Sequence, residues 1–168
     1  MESLLEHVIA SCNKGSLDEA ILIAVTAHQG QVDRGGHPYI LHPLAVMRRV
    51  CNVGERAAIV GVLHDVVEDS DYVTYTHLVG CGFDGEVIQA LKNLEHPKGM
   101  TILQAAEKIA ALDIRKESTI LTMHVKIADY TENSDLRRIP EPTEEDTARR
   151  LRYLEALQIV SKAFAKVQ

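Results

Sequence analysis

A chain of 168 residues, 46% apolar and without low-complexity tracts, is long enough to bury a core and reads as one globular domain over residues 1–168. Its net charge of −6 excludes a general nucleic-acid binder, which needs a basic face to displace counterions; no DNA or RNA partner is expected, and any phosphate must be met by local cations. No stretch approaches transmembrane length, and Met1 to Gly15, with Glu2 and Glu6 among its apolar residues, has neither a basic flank nor a signal-like apolar run, so a cytoplasmic protein without a membrane partner is expected. Cys12, Cys51 and Cys81 are odd in number and widely spaced, and read as reduced, buried thiols with no paired-cysteine metal site.

Apolar residues recur at spacings of three and four through most of the chain, and alternating β-branched runs are few, which predicts an all-α, multi-helix bundle. Ser16 with Glu19 forms a capping box ahead of a helix whose apolar face carries Leu17, Ala20, Ile21, Ala24 and His28, closed by Gly30. A glycine- and proline-containing loop from Gln31 to Pro38 follows. Pro43 suits the first turn of the next helix, which places His42 at a helix entrance. Residues 57–67 are apolar nearly all round, the mark of a buried central helix. Further helices are expected to begin at Thr74 and Asp84, to cover about Thr101 to Leu112, and to run from near Glu117 to Asn133. After a surface connection from Arg137 to Glu145, Thr143 caps a last helix with an apolar stripe of Leu151, Leu154, Leu157, Val160, Phe164 and Val167, expected to pack across the bundle.

The end of the apolar helix reads HDVVED, setting His64, Asp65, Glu68 and Asp69 where the helix dipole is negative. Helical spacing places Glu68 one turn after His64 and Asp69 one turn after Asp65. A bound cation accounts for all four; a solvated helix end is the other reading, weakened by the apolar helix body. His42 beside Pro43 and Asp129 in VKIADYTEN offer further nitrogen and oxygen ligands, although singly each also reads as a packed histidine and a surface carboxylate. Spacing alone does not bring them together.

Three stretches in order, AHQGQVDRGGHPYILHP (27–43), HDVVED (64–69) and VKIADYTEN (125–133), closely resemble the hydrolase domains of Rel/Spo-type alarmone proteins, members of the HD superfamily. The resemblance runs from about Leu17 to Leu157. It implies that His42, His64, Asp65 and Asp129 hold one divalent metal, commonly manganese, and that Glu68 and Asp69 orient or deprotonate the attacking water. Such a cation acidifies water and offsets phosphoryl charge while a carboxylate takes the proton. The implied activity is removal of pyrophosphate from the 3′ position of guanosine tetra- or pentaphosphate. Phosphohydrolysis of another nucleotide and a non-catalytic nucleotide-binding module are the alternatives, the last disfavoured by the intact Glu68 and Asp69. The chain ends soon after the hydrolase-like region, so a stand-alone hydrolase without synthetase is expected.

Two departures bear on the small-molecule nucleotide substrate. Related loops present an arginine at the place of Asp33 and a basic residue at that of Arg34, leaving Arg34 as the candidate substrate contact here or a solvated loop charge. The related DRLHNMRT becomes DYTENSDL, keeping Asp129 and Asn133 but placing Leu136 where a threonine is usual. Asn133, one turn after Asp129, can reach ribose or phosphate, or cap its helix. GCGFDG (80–85) matches a dinucleotide-binding pattern, but no strand precedes it and it reads as an interhelical loop. His28 reads as a hydrogen-bonded packing residue, and His77 and His124 lack partners at ligand spacing.

Overall fold

The computed structural model describes residues 2–167. Among them are ten α-helices and no named strand: α1 (Glu2–Ser11), α2 (Leu17–Ala27), α3 (Leu41–Val50), α4 (Glu55–Leu63), α5 (Val66–Asp69), α6 (Tyr75–Gly80), α7 (Gly85–Leu94), α8 (Ile102–Ala110), α9 (Glu117–Asn133) and α10 (Glu144–Phe164). Short 3₁₀ turns follow α9, at Leu136–Arg138, and α10, at Ala165–Val167. The all-helical expectation holds. No described helix is long and apolar enough to cross a membrane.

Side-chain caps explain half of the helix starts. Ser16, Thr101 and Thr143 each accept the N–H three residues on, and Glu19, Gln104 and Asp146 reach back to the cap, completing capping boxes that satisfy otherwise orphaned donors. Thr74 does the same with an imidazole, His77, in place of the usual carboxylate. Asp84 accepts from the Glu86 N–H at 2.8 Å to begin α7. The GCGFDG segment is the expected interhelical connection, between α6 and α7.

One apolar core draws on all ten α-helices, with α4 through its middle: Ala57 to Leu63 are all buried. Both long C-terminal helices, α9 and α10, pack against each other, and α9 also lies against α3, α4 and α7. This places the end of α4, the start of α3 and the C-terminal half of α9 side by side.

Three expectations need correction. The central helix does not run unbroken over 57–67; it stops at Leu63, and Val66–Asp69 forms a separate turn of helix. His64 and Asp65 occupy the break, with Asp65 at φ −103° and ψ −7°. The inward face of α10 is Tyr153, Ala156 and Val160, whereas Leu151 is exposed. Leu157 and Phe164 pack partly against the core, and the Val167 side chain lies outside the described residues. Finally, all three cysteines are free, but Cys51 is exposed rather than buried. Sequence reading assigned no helix to the N-terminal segment, where α1 buries Leu5 and Val8.

Candidate metal centre

The four residues matched to metal ligands come from three elements that packing brings together. His42 is the second residue of α3, whose first turn accommodates Pro43 because the missing N–H is unneeded there. His64 and Asp65 sit in the α4–α5 break, and Asp129 is one turn before the end of α9. His42, His64 and Asp129 are all buried. His42, His64 and Asp65 each offer a ligand atom within 4.8 Å of the others. Asp65 Oδ2 is 2.9 Å from His64 Nε2 and 3.8 Å from His42 Nε2, while Asp129 Oδ1 is 3.2 Å from His42 Nε2 and 3.8 Å from His64 Nε2. These separations match ligands around a cation with bonds of about 2.1 Å.

The hydrogen bonds around His64 fit that arrangement. Its Nδ1 meets the Gly61 carbonyl at 2.8 Å and must donate to it, so Nε2 is the nitrogen left to face a cation or carry a second proton. That Nε2 is buried without a hydrogen-bond partner among the described residues; its 2.9 Å approach to Asp65 lacks hydrogen-bond alignment. An imidazole nitrogen facing two carboxylates calls for a positive charge between them, a cation or a proton. Burial opposes the proton, but Asp65 and Asp129 outweigh burial and push His64 up to about 9.

The carboxylates are held from outside. Burial disfavours the charge on Asp129, but Lys126 Nζ at 3.0 Å and His42 together keep its carboxyl well below the ordinary range. Asn133 Nδ2 donates to Asp129 Oδ1 at 2.5 Å, so this asparagine orients the carboxylate from one turn away. Tyr39 donates its hydroxyl to Asp65 Oδ2 at 2.6 Å, and burial together with the Asp65 charge drives the phenol far above its ordinary value. Tyr39 stacks in turn between His28 and His42. His28 is the expected packing residue, buried with Nδ1 2.8 Å from Gln31 Oε1, although its Nε2 has no partner.

Glu68 and Asp69 line the same cleft from α5. Desolvation pushes both carboxyls up, reinforced by the nearby charge of Asp65. The helical register survives locally, since the Asp69 N–H donates to the Asp65 carbonyl at 2.9 Å.

The cleft holds about 500 Å³ and is lined by four further cations: Arg34, Lys126, Arg138 and Arg149. Arg34, from the loop after α2, pairs with Asp146 at 2.9 Å and stays half exposed. Asp33 does not face the cleft as a free acid; it accepts from the Gly35 and His37 N–H groups at 2.9 Å and pairs with Arg138 at 3.1 Å. Arg149 donates to the Tyr153 hydroxyl at 2.8 Å and has no carboxylate partner among the described residues. Leu136, Ile139, Leu94 and Ile102 supply apolar wall. Sequence reading missed Lys126, Arg138 and Arg149. Lys126 was legible, three residues before Asp129 on one helical face; the two arginines carry no local signal.

The all-helical bundle carries a buried histidine–carboxylate cluster, with ligand atoms close enough to share a cation, at the base of a partly basic cleft. No protein-family model matches the chain. It is 30% identical over 116 residues, 67% of its length, to a guanosine-3′,5′-bis(diphosphate) 3′-pyrophosphohydrolase of Haemophilus influenzae. It is 31% identical over 125 residues, 70% of its length, to the bifunctional (p)ppGpp synthase/hydrolase SpoT of Escherichia coli, and 29% identical over 140 residues, 79% of its length, to a GTP pyrophosphokinase of Myxococcus xanthus. The matched segment is 17%, 17% and 18% of those proteins. Over most of its length the chain is therefore a domain related to one part of these Rel/Spo-type proteins.

Proposed function

We propose that the protein is a metal-dependent phosphohydrolase of the HD type, acting as a (p)ppGpp 3′-pyrophosphohydrolase in the cytoplasm. The observation that carries this reading is His64 Nε2, buried and facing Asp65 and Asp129 beside His42, in a cleft large enough for a nucleotide. The names of the relatives support the substrate. His42, His64, Asp65 and Asp129 would hold one divalent cation, and two imidazoles with two carboxylates suit manganese. Such a cation supplies a Lewis acid that acidifies water and offsets charge on phosphoryl oxygens.

The chain's own residues supply the rest. Glu68 and Asp69, whose carboxyls desolvation pushes up, are suited to take a proton from water attacking phosphorus. Lys126 and Asn133 fix Asp129, and the Asn133 amide oxygen remains free to accept from a ribose hydroxyl. Arg34 and Arg149 face the cleft as phosphate donors. The apolar wall of Leu94, Ile102, Leu136 and Ile139 excludes water from one side.

Purified protein supplemented with manganese and offered guanosine tetra- and pentaphosphate, ordinary nucleotides and dinucleotides tests this reading by chromatography of the products. Pyrophosphate release from the 3′ position is expected. Turnover of ordinary nucleotides alone would replace it with a broader phosphohydrolase, and binding without turnover would replace it with a nucleotide-binding module.

A further inference from the structure

A helix as short as α5 does not hold itself. It has four residues, of which only Val66 is buried, and the chain leaves it at Ser70 in extended conformation. Within that turn the Asp69 N–H donates to the Asp65 carbonyl at 2.9 Å. The last carbonyls of a helix have no partner inside it, so the far end of α5, which carries Asp69, has to be fixed from outside.

The fixing group is Gln31, in the loop after α2. Its Nε2 donates to the Asp69 carbonyl at 3.2 Å, across 38 residues of chain. A carbonyl only accepts, so the amide nitrogen must face Asp69, and the amide oxygen faces His28 Nδ1, 2.8 Å away. His28 Nδ1 therefore donates. Its ring is buried and lies against Tyr39, with centroids 4.9 Å apart, and burial holds the imidazole below its ordinary pKa. The Gln31 backbone is pinned as well: its N–H donates to the His28 carbonyl at 3.1 Å, and its carbonyl accepts from the Tyr39 N–H at 2.9 Å. Tyr39 in turn donates its hydroxyl to Asp65, at the near end of α5. One packed unit of His28, Gln31 and Tyr39 thus grips α5 at both ends. Neither His28 nor Gln31 lines the cleft.

Resting on the reading that Asp69 takes a proton from the attacking water, we propose that Gln31 is the positioning residue for Asp69, with His28 fixing the orientation of its amide. The tether sets where the Asp69 carboxylate stands relative to Asp65. It acts from behind the cleft, so it governs the chemical step and leaves substrate binding alone.

The test is turnover by the full chain, with saturating manganese, of guanosine tetraphosphate or of whichever nucleotide wild type cleaves. Gln31→Met keeps length and bulk but removes the donor, and should lower kcat about ten-fold or more, since a displacement of about 1 Å can cost about 100-fold. KM and manganese affinity should stay within about two-fold of wild type. Amide exchange at Asp69, read by NMR, should quicken about 3- to 10-fold in the same variant, as for one lost hydrogen bond. His28→Asn and His28→Leu separate positioning from packing. Both lose the ring contact with Tyr39 and should melt earlier, but only His28→Asn keeps an N–H for the Gln31 amide oxygen and should retain most of kcat. These two decide the matter if Gln31→Met does not fold. A kcat of Gln31→Met close to wild type, unchanged exchange at Asp69, manganese affinity falling in step with kcat, or equal kcat in the two His28 variants overturns the positioning role and leaves the hydrolase reading standing. Wild type that turns over no nucleotide overturns both.

Discussion

At Glu68 and Asp69, desolvation raises both carboxyls, so their contribution to stability is fully present below the ordinary carboxyl values and lost as pH rises through the raised ones. Ionising either carboxyl runs against the preference of the cleft. Glu68→Gln with Asp69→Asn removes that conflict while preserving size and most hydrogen bonding. Metal-free melts should show the double variant at least as stable as wild type at pH 7, with any advantage vanishing at about pH 4, where the native carboxyls are increasingly neutral. Turnover should fall about 100-fold or more with metal retained, because an amide cannot accept the proton. A variant less stable than wild type at pH 7 contradicts the electrostatic account, and near-normal turnover makes the two carboxylates structural.

Among the connecting elements, the loop between α2 and α3 and the 3₁₀ turn Leu136–Arg138 are fitted together at backbone level. A Cβ on Gly35 would lie 2.1 Å from the Arg138 carbonyl oxygen, which no side-chain movement relieves. Gly35→Ala should therefore push the loop off the turn, costing about 1 to 3 kcal/mol as an overpacking substitution. It should also loosen the Asp33–Arg138 pair. Denaturant unfolding measures the first effect, and an unchanged midpoint would show that the loop yields freely. Helix starts were legible in sequence because a cap is written within four residues, as at Ser16, Thr101 and Thr143. The inward face of α10 was not. Its apolar residues are spread around much of the helix, and which of them face inward depends on where α8 and α9 lie.

Across the whole molecule, the cluster ties α3, the α4–α5 break and α9 at one point. A cation held there binds the folded chain and not the unfolded one, so loading should raise stability by about 2.7 kcal/mol at a free concentration 100 times the dissociation constant. For a chain of this size that corresponds to a rise of about 5 to 10 °C in melting temperature. Thermal melts with manganese and with chelator measure it, and His64→Ala should show no difference between the two. A full shift retained in His64→Ala would place the cation elsewhere.

Legible in the chain alone were the all-helical class, the caps that begin half of the helices, and the residues of HDVVED, VKIADYTEN and the loop before His42, because periodicity and capping act within a turn or two of chain. The resemblance in those motifs implied four metal-ligating residues, and packing sets those four side chains near one another. Only helix packing set the break at His64 and Asp65, the hydrogen-bond partners of the two imidazoles and the cations of the cleft. Arg138 meets His42 across 96 residues of chain and Asp33 across 105, and Arg34 meets Asp146 across 112. Contacts of that range depend on how helices pack, and no local pattern encodes which donor will face which lone pair.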